Sequence, residues 1–293
     1  MSAEQEAGIP GLVEALSSLD GSALGSLLLE VSARQAARRS PATILRQASQ
    51  DPFARPTDLD LRRTLALDAA IAEALPPRFD AVELSPLCPL GTVSQLAVAH
   101  QNKVLASTRP LEVLADPTNA MALIAASRRA RGEAVVRLAT TARIVRTPRV
   151  EKAGFTQHFR LWAFVTAGRD PGGRQLEAQA LREHMALHET LLDVLRARGL
   201  PIPEPRWTVR AAPDHQGWVD TALADRAHVV RLPMEGTYYQ GVRINLSLKL
   251  GEQELPVTDG GLVDWAAKLR SDRKERLFIS AVGTELLQRL FAG

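Results

Sequence analysis

The sequence is short of cysteine, lysine and aromatic side chains, and it has no long apolar run. Cys88 is the single cysteine among 293 residues, so no internal disulfide can form and a reducing compartment is expected. It lies between Leu87 and Pro89 with no neighbouring cation to activate a thiolate, which suits a small buried apolar residue better than a nucleophile. No apolar stretch approaches the ~20 residues that span a bilayer. The acidic start Met1-Ser-Ala-Glu-Gln-Glu lacks the basic segment of a secretory signal, so a cytoplasmic protein with no membrane role is expected. No phosphate loop, dinucleotide fingerprint or nucleophile elbow is present.

What is present is an ordinary globular composition: 45% hydrophobic and 24% charged residues, with 19 Gly and 18 Pro. This excludes collagen, disorder and a disulfide scaffold, and the length allows one large domain or two small ones. The 36 basic residues, 31 of them Arg, face 33 acidic ones for a net +3, too little to announce a nucleic-acid binder. Arg128 to Arg149 holds seven Arg against Glu133 alone. That stretch is either a face for phosphate or the solvated outside of a hairpin, and no aromatic residues are interleaved there for base stacking.

Residues 1–55 read as a helical arm with Leu12, Leu16, Leu19, Leu24 and Leu27 to Leu29 near helical spacing, and Ser40-Pro41 opens a short helix to about Gln50. Thr57 is a candidate cap for a helix to Leu75 carrying Leu61, Leu65, Ala69 and Ile71 on one stripe. Strands are expected at 79–84, 95–100, 104–107 and 111–115, and a helix from Asp116-Pro117-Thr118 to Arg131. Two long strands follow, 134–146 and 155–167, then a helix over 174–198. The remainder alternates: strand 206–211, helix 217–225, strands 227–232, 238–250 and 253–258, helix 261–270, strand 277–282 and helix 284–292. The expected fold is α+β, a mainly antiparallel sheet of six or more strands flanked by helices over 56–293, behind the N-terminal helical arm. His184 and His188 stand at i, i+4 and could share a metal, but no third ligand has recognisable spacing, and a solvated or half-buried helix face is the plainer reading.

Four segments carry a more specific pattern. The first is Leu111-Glu-Val-Leu-Ala-Asp-Pro-Thr118, which opens an Ala-rich helix ending in Arg128-Arg129. The second runs from Ala142-Arg-Ile-Val-Arg-Thr-Pro to Phe155-Thr-Gln-His-Phe159 across a hairpin. Third comes Glu235-Gly-Thr-Tyr-Tyr-Gln-Gly241, with the chain's two tyrosines. The fourth joins Thr258-Asp-Gly-Gly-Leu-Val-Asp-Trp265 to Ile279-Ser-Ala-Val-Gly-Thr-Glu-Leu-Leu287. Together, over about 57–293, they resemble the class II aminoacyl-tRNA synthetase core, in particular the histidyl branch that includes the regulatory subunit of ATP phosphoribosyltransferase.

The resemblance implies roles. Asp116 and Thr118 would hold a substrate ammonium, although Asp-Pro-Thr is also an ordinary helix cap. Arg146 would be the motif 2 arginine that grips the ATP α-phosphate and the substrate carboxylate, with Phe155 and Gln157 keeping that motif's Phe-x-Gln. Tyr238 and Tyr239 would line the substrate side, and Glu285 would be the motif 3 acid. ATP and Mg are the implied cofactors. The departures are equally specific: Pro148 replaces the motif 2 glutamate, Leu161 an acidic side-chain reader, Met234 the histidyl arginine and Leu286 the motif 3 arginine. Arg289, three residues on, falls about 60° short of a full helical turn from that place.

Adenylation sets a carboxylate beside a triphosphate and depends on preorganised cations, each such contact contributing ~10²–10³ in rate. The expectation is therefore a paralogue with a degenerate adenylation site, acting as a regulatory or amino-acid- or nucleotide-sensing subunit. An ATP-dependent ligase for another carboxylate and a structural accessory subunit are the alternatives. The resemblance further implies a homodimer through about Thr57–Pro89 and a possible catalytic partner subunit. No anticodon-binding domain is recognisable before Gly293, so ordinary tRNA reading is not expected.

Overall fold

Asp20 and Ser40 begin the two longest of four opening helices, α1 (Ala3–Ala7), α2 (Leu12–Ser17), α3 (Gly21–Ala37) and α4 (Pro41–Gln50). Asp20 accepts from the amides of Ser22 and Ala23, and Ser40 accepts from Thr43 with Pro41 in the first turn, where a missing N–H costs nothing. No residue of α2, α3 or α4 is buried. The computed structural model describes residues 2–97, 99–148 and 155–291; Val98, Arg149 and Lys152 lie outside them.

Next come α5 (Leu61–Glu73), β1 (Asp80–Ala81), β2 (Leu87–Pro89), β3 (Leu111–Val113), α6 (Pro117–Ala130), β4 (Val135–Val145), β5 (His158–Arg169) and α7 (Gln175–Ala197). The chain continues through β6 (Arg206–Ala211), α8 (Pro213–Ala222), β7 (Val230–Pro233), β8 (Val242–Leu250), β9 (Gln253–Pro256), β10 (Thr258–Val263), α9 (Trp265–Arg270), β11 (Glu275–Val282) and α10 (Thr284–Phe291). Among the described residues nine strands form one sheet in the order β1-β4-β5-β11-β10-β8-β6-β7, with β9 also on β8.

The sheet is mixed, which corrects the expectation of a mainly antiparallel one. Its centre runs antiparallel, but β1 pairs parallel with β4 and β6 parallel with β7. The second pairing follows from α8, because a helix between two strands is the crossover that parallel neighbours need. Helices cover both faces. Trp162 and Phe164 of β5 pack with Leu181 and Met185 of α7, while Ala163 and Val165 point the other way against α6 residues such as Met121. A central strand covered on both faces reads as an unbroken apolar run.

Several expected elements shift. Residues 95–100 do not form a strand: Thr92–Leu96 is a π-helical turn. Residues 104–107 reduce to a single bridge at Ala106. The strand expected from 238 starts at Val242, and the helix expected from 261 starts at Trp265 because β10 runs on through Gly260-Gly261. Helix α5 is capped by Asp60, not Thr57, and it buries Thr64, Leu67, Asp68 and Ile71 while Leu61 and Leu65 stay exposed. Polar groups disguise that stripe: buried Asp68 accepts from Trp162 Nε1 at 2.9 Å and pairs with Arg160.

His184 and His188 do not form a solvated face. Both are fully buried, and Ser280 Oγ lies between them, 2.7 Å from His184 Nδ1 and 2.9 Å from His188 Nε2. His184 Nε2 meets the Thr166 hydroxyl at 3.0 Å. Desolvation holds both rings neutral, pushing His184 well below its ordinary value and His188 down to about 3.

Candidate functional site

The β4–β5 hairpin and the start of α6 build one wall of a cavity of about 670 Å³. Asp116 caps α6: its Oδ1 accepts from the Thr118 amide at 2.9 Å and from the Thr118 hydroxyl at 2.7 Å. Its Oδ2 remains for Arg146, whose Nη2 lies 3.6 Å away. The helix cap and a charged role therefore coexist on the two oxygens of one carboxylate. Arg146 directly follows β4, its amide donating to the Gln157 carbonyl at 2.8 Å. The guanidinium is steered by its Nε donating to the Ala115 carbonyl at 3.2 Å and by the Phe159 ring, 5.4 Å below it.

The opposite wall carries the tyrosine pair, on the loop between β7 and β8. The Tyr238 and Tyr239 rings meet edge-on at 4.8 Å, and Trp265 supports Tyr238 at 6.1 Å. Desolvation raises the phenol pKa of buried Tyr239, reinforced by Asp259, and in the same direction that of Tyr238, which is still 42% exposed, reinforced by Asp116. Arg243 clamps Asp259 through two bonds of 2.8 and 3.2 Å and lies over Tyr239.

Gly261 makes room for this wall. A Cβ there would sit 2.2 Å from the Val242 carbonyl oxygen and 2.7 Å from Tyr239 Cδ1. Gly261→Ala is expected to displace Tyr239 and cost about 1–3 kcal/mol. Near-UV circular dichroism and urea melts read both effects, and an unchanged tyrosine signal would show that the ring is not held there.

A third wall, with Val93, Ala97 and Lys103, is shaped by Glu112. This fully buried carboxylate accepts from the amides of Gly91 at 3.0 Å and Val93 at 2.9 Å and from Gln101 Nε2 at 2.8 Å. Loop amides thus do for it what a cation would do elsewhere.

Of the residues singled out from sequence, Asp116, Thr118, Arg146, Phe155, Tyr238 and Tyr239 converge on this cavity. Gln157 and Glu285 do not line it. Gln157 is buried, and its Nε2 donates to the carbonyls of Arg146, Thr147 and Pro148 at 3.1–3.2 Å, tying the hairpin where proline offers no donor. Glu285 is 1% exposed and accepts from Arg143 Nη2 at 2.6 Å, the Arg160 amide at 3.1 Å, Thr57 Oγ1 at 2.9 Å and Arg289 Nη2 at 3.0 Å. Burial pushes its carboxyl up, but Arg289, Arg143 and Thr57 outweigh it and hold the group below the usual glutamate range.

Sequence reasoning missed Lys103, Asn119, Glu235, Arg243 and Asp259, which also line the cavity. Asp259 was visible in the Thr-Asp-Gly-Gly segment. Arg243 becomes visible only when strand pairing sets it against Gly261.

Among the described residues the cavity's cations are Lys103, Arg146 and Arg243, its carboxylates Asp116, Glu235 and Asp259. Lys103 alone of the cations has no ion pair among the described residues. This balance suits a zwitterion. Among the described residues two of the three cations face carboxylates and Glu285 is sealed by its own donors, an arrangement less suited to a magnesium–triphosphate. Among the described residues no three His, Cys, Asp or Glu side chains group to hold a metal.

The sheet order, the helices on both faces and the cavity beside the hairpin define a divergent class II aminoacyl-tRNA synthetase-like fold. Solved structures of that kind superpose on the chain. Staphylococcus aureus histidyl-tRNA synthetase is 11% identical at a TM-score of 0.55, over 78% of this chain and 64% of its own. The Bacillus halodurans protein described as an ATP phosphoribosyltransferase regulatory subunit/histidyl-tRNA synthetase is 12% identical at 0.59, over 80% and 81%. A histidine–tRNA ligase subunit from Alicyclobacillus acidocaldarius is 11% identical at 0.56, over 80% and 96%. This chain thus spans under two thirds of the S. aureus enzyme but nearly all of the A. acidocaldarius one. No protein-family model matches the sequence, and neither does any curated protein. No helix among the described residues is long and apolar enough to cross a membrane.

Proposed function

We propose that the chain is a non-adenylating relative of the class II synthetase core that binds an amino-acid-like zwitterion and acts as a regulatory or sensing subunit. The observation that carries this reading is the cavity's charge pattern. Arg146 and Lys103 can take a carboxylate, and Asp116 and Asp259 can take an ammonium. The groups needed for a triphosphate are replaced by Met234 and Leu286 or, in Glu285, committed elsewhere. Acyl-adenylate chemistry stabilises charge growing on a phosphate with free cations, and of the three cations among the described lining residues two already face carboxylates.

The fold is shared with a structure described as an ATP phosphoribosyltransferase regulatory subunit/histidyl-tRNA synthetase, so the regulatory role is compatible with it. The role implies a catalytic partner subunit and an assembly of this chain with itself, as a homodimer.

Arg146 is the residue to remove. A cognate amino acid at 100 times its dissociation constant is expected to add about 2.7 kcal/mol to the stability of the protein. In Arg146→Ala the same concentration should add well under 1 kcal/mol. A thermal-shift panel of the twenty amino acids on both proteins measures this. ATP–pyrophosphate exchange above background, lost in Arg146→Ala, would overturn the non-catalytic reading in favour of a ligase.

A further inference from the structure

A second cavity, of about 660 Å³, opens at the end of the sheet where β10 ends and β11 begins. No described residue lines both it and the cavity beside the hairpin. Leu262 and Val263 of β10, both buried, and Ala267 of α9 give it an apolar side. Arg174, Lys268, Arg273 and Arg276 bring four cations to its lining, against Asp214, Asp264 and Glu275.

The acids are largely committed. Glu275 is 4% exposed and accepts two bonds from Arg129, at 3.0 and 2.7 Å. Asp264 pairs with Lys268 at 3.0 Å, and exposed Asp214 lies 2.9 Å from His215. The guanidinium groups are not. Arg276 gives its Nε to Glu177 at 2.7 Å and its Nη1 to the carbonyls of Arg273 and Glu275, which leaves Nη2. Arg174 gives only Nη1, at 3.3 Å, to that same Glu177 oxygen. The Arg273 side chain has no partner among the described residues. Arg174 also holds a left-handed backbone, φ 60°, directly after Gly172 and Gly173, whose φ values are positive too. A third glycine would sit there without strain, and Glu177 already has the nearer Arg276. A side chain kept at a strained position points to a use for it.

We propose that this cavity is a second binding site, for a phosphate monoester with an organic body. Guanidinium forks match phosphate oxygens in pairs, and three forks with open donors border one cavity. The monoester carries nearly two negative charges at neutral pH, where a carboxylate carries one. A bare phosphate is far smaller than the cavity and leaves the apolar side uncovered, whereas an attached body covers it. The proposal does not rest on the zwitterion reading of the cavity beside the hairpin.

Calorimetry on the full chain at neutral pH tests it, with phenyl phosphate, ribose 5-phosphate and inorganic phosphate as probes. Benzoate and ribose are the matched controls for the two esters. At least one ester is expected to bind about tenfold tighter than both inorganic phosphate and its own control. Arg273→Ala should weaken that binding about tenfold at an unchanged unfolding temperature, because the side chain holds nothing else among the described residues. Lys268→Ala, which leaves Asp264 uncompensated, should weaken it in the same direction and serves if the first variant folds poorly. Arg146→Ala should leave it where it was.

No ester bound at millimolar concentration, or esters bound no tighter than inorganic phosphate or their controls, would overturn the site. Binding that survives both Arg273→Ala and Lys268→Ala would do the same. These results leave the zwitterion reading as it was, because amino acids test that one. Loss in Arg146→Ala alone would put the phosphate in the cavity beside the hairpin, overturning this site and counting against the zwitterion reading as well.

Discussion

Lowering the pH from 7.5 to 5 is expected to remove at least about 2 kcal/mol of folding stability, before most carboxylates begin to titrate. The cause is the His184–Ser280–His188 cluster. In the folded chain both rings are neutral, with His188 titrating only at about 3 and His184 also depressed by desolvation. In the unfolded chain each takes a proton near pH 6.5. The unfolded state therefore binds more protons below that value, and stability falls as pH falls. It is fully present above pH 6.5 and is lost through the window between 6.5 and the folded-state values. At pH 5 His188 alone accounts for about 1.5 pH units, or roughly 2 kcal/mol, and His184 adds to it in the same direction. Urea melts at half-unit pH steps measure the slope. A flat profile from 7.5 to 5 would mean that the rings reach solvent, contrary to their complete burial.

Replacing Glu285 by alanine is expected to cost about 3–5 kcal/mol, the range for stripping one partner from a buried ion cluster. Its carboxylate faces Arg143 and Arg289 and also accepts from Thr57 and the Arg160 amide. Arg289 itself is held by Asp58 as well. Removal takes a partner from each of two guanidinium groups and leaves Thr57, at the entry to α5, tied to α10 through Arg289 alone. Glu285→Gln, which keeps one acceptor oxygen, should cost less. The measurement separates two roles for this glutamate. A structural anchor loses stability with or without ligand, whereas an acid that served only to hold a metal or nucleotide would leave the melting curve of the ligand-free protein about where it was.

The two predictions concern residues that sequence reading placed differently. His184 and His188 were legible as an i, i+4 pair, but their spacing is the same for a metal site, a solvated face or a buried cluster. The difference lies in Ser280 of β11 and Thr166 of β5, brought beneath α7 by sheet pairing. Glu285 was legible as an acid at the head of the last helix. Its partners come from α10 itself, from β4 and from residue 57, far earlier in the chain, so no local pattern shows that its charge is already matched.

The two arms of the hairpin, helix α7, strand β6 and the cap at Asp116 were readable because each follows from local rules: period-2 or 3.6-residue patterning, or a polar residue before a proline. The resemblance to the class II core placed Asp116, Thr118, Arg146, Phe155, Tyr238 and Tyr239 as a constellation, and the fold draws these six to one cavity. Neither the mixed direction of the sheet, the retention of Gln157 and Glu285 as struts, nor the wall that Glu112 shapes could be read that way. Each depends on which residues meet in space, from 10 positions apart for Gln157 and Thr147 to 228 for Glu285 and Thr57.

The sequence by itself determined the order of most of its elements, and its resemblance to the class II core implied that arginines expected at two places are missing. Arginines absent at Met234 and Leu286 are absent whatever the fold does. Tertiary structure alone decided that Arg146 faces Asp116, that Lys103 has no ion pair among the described residues and that Glu285 is enclosed by its own donors. Charge balance and hydrogen-bond satisfaction are properties of neighbours in space, and neighbours in space are what a linear reading cannot count.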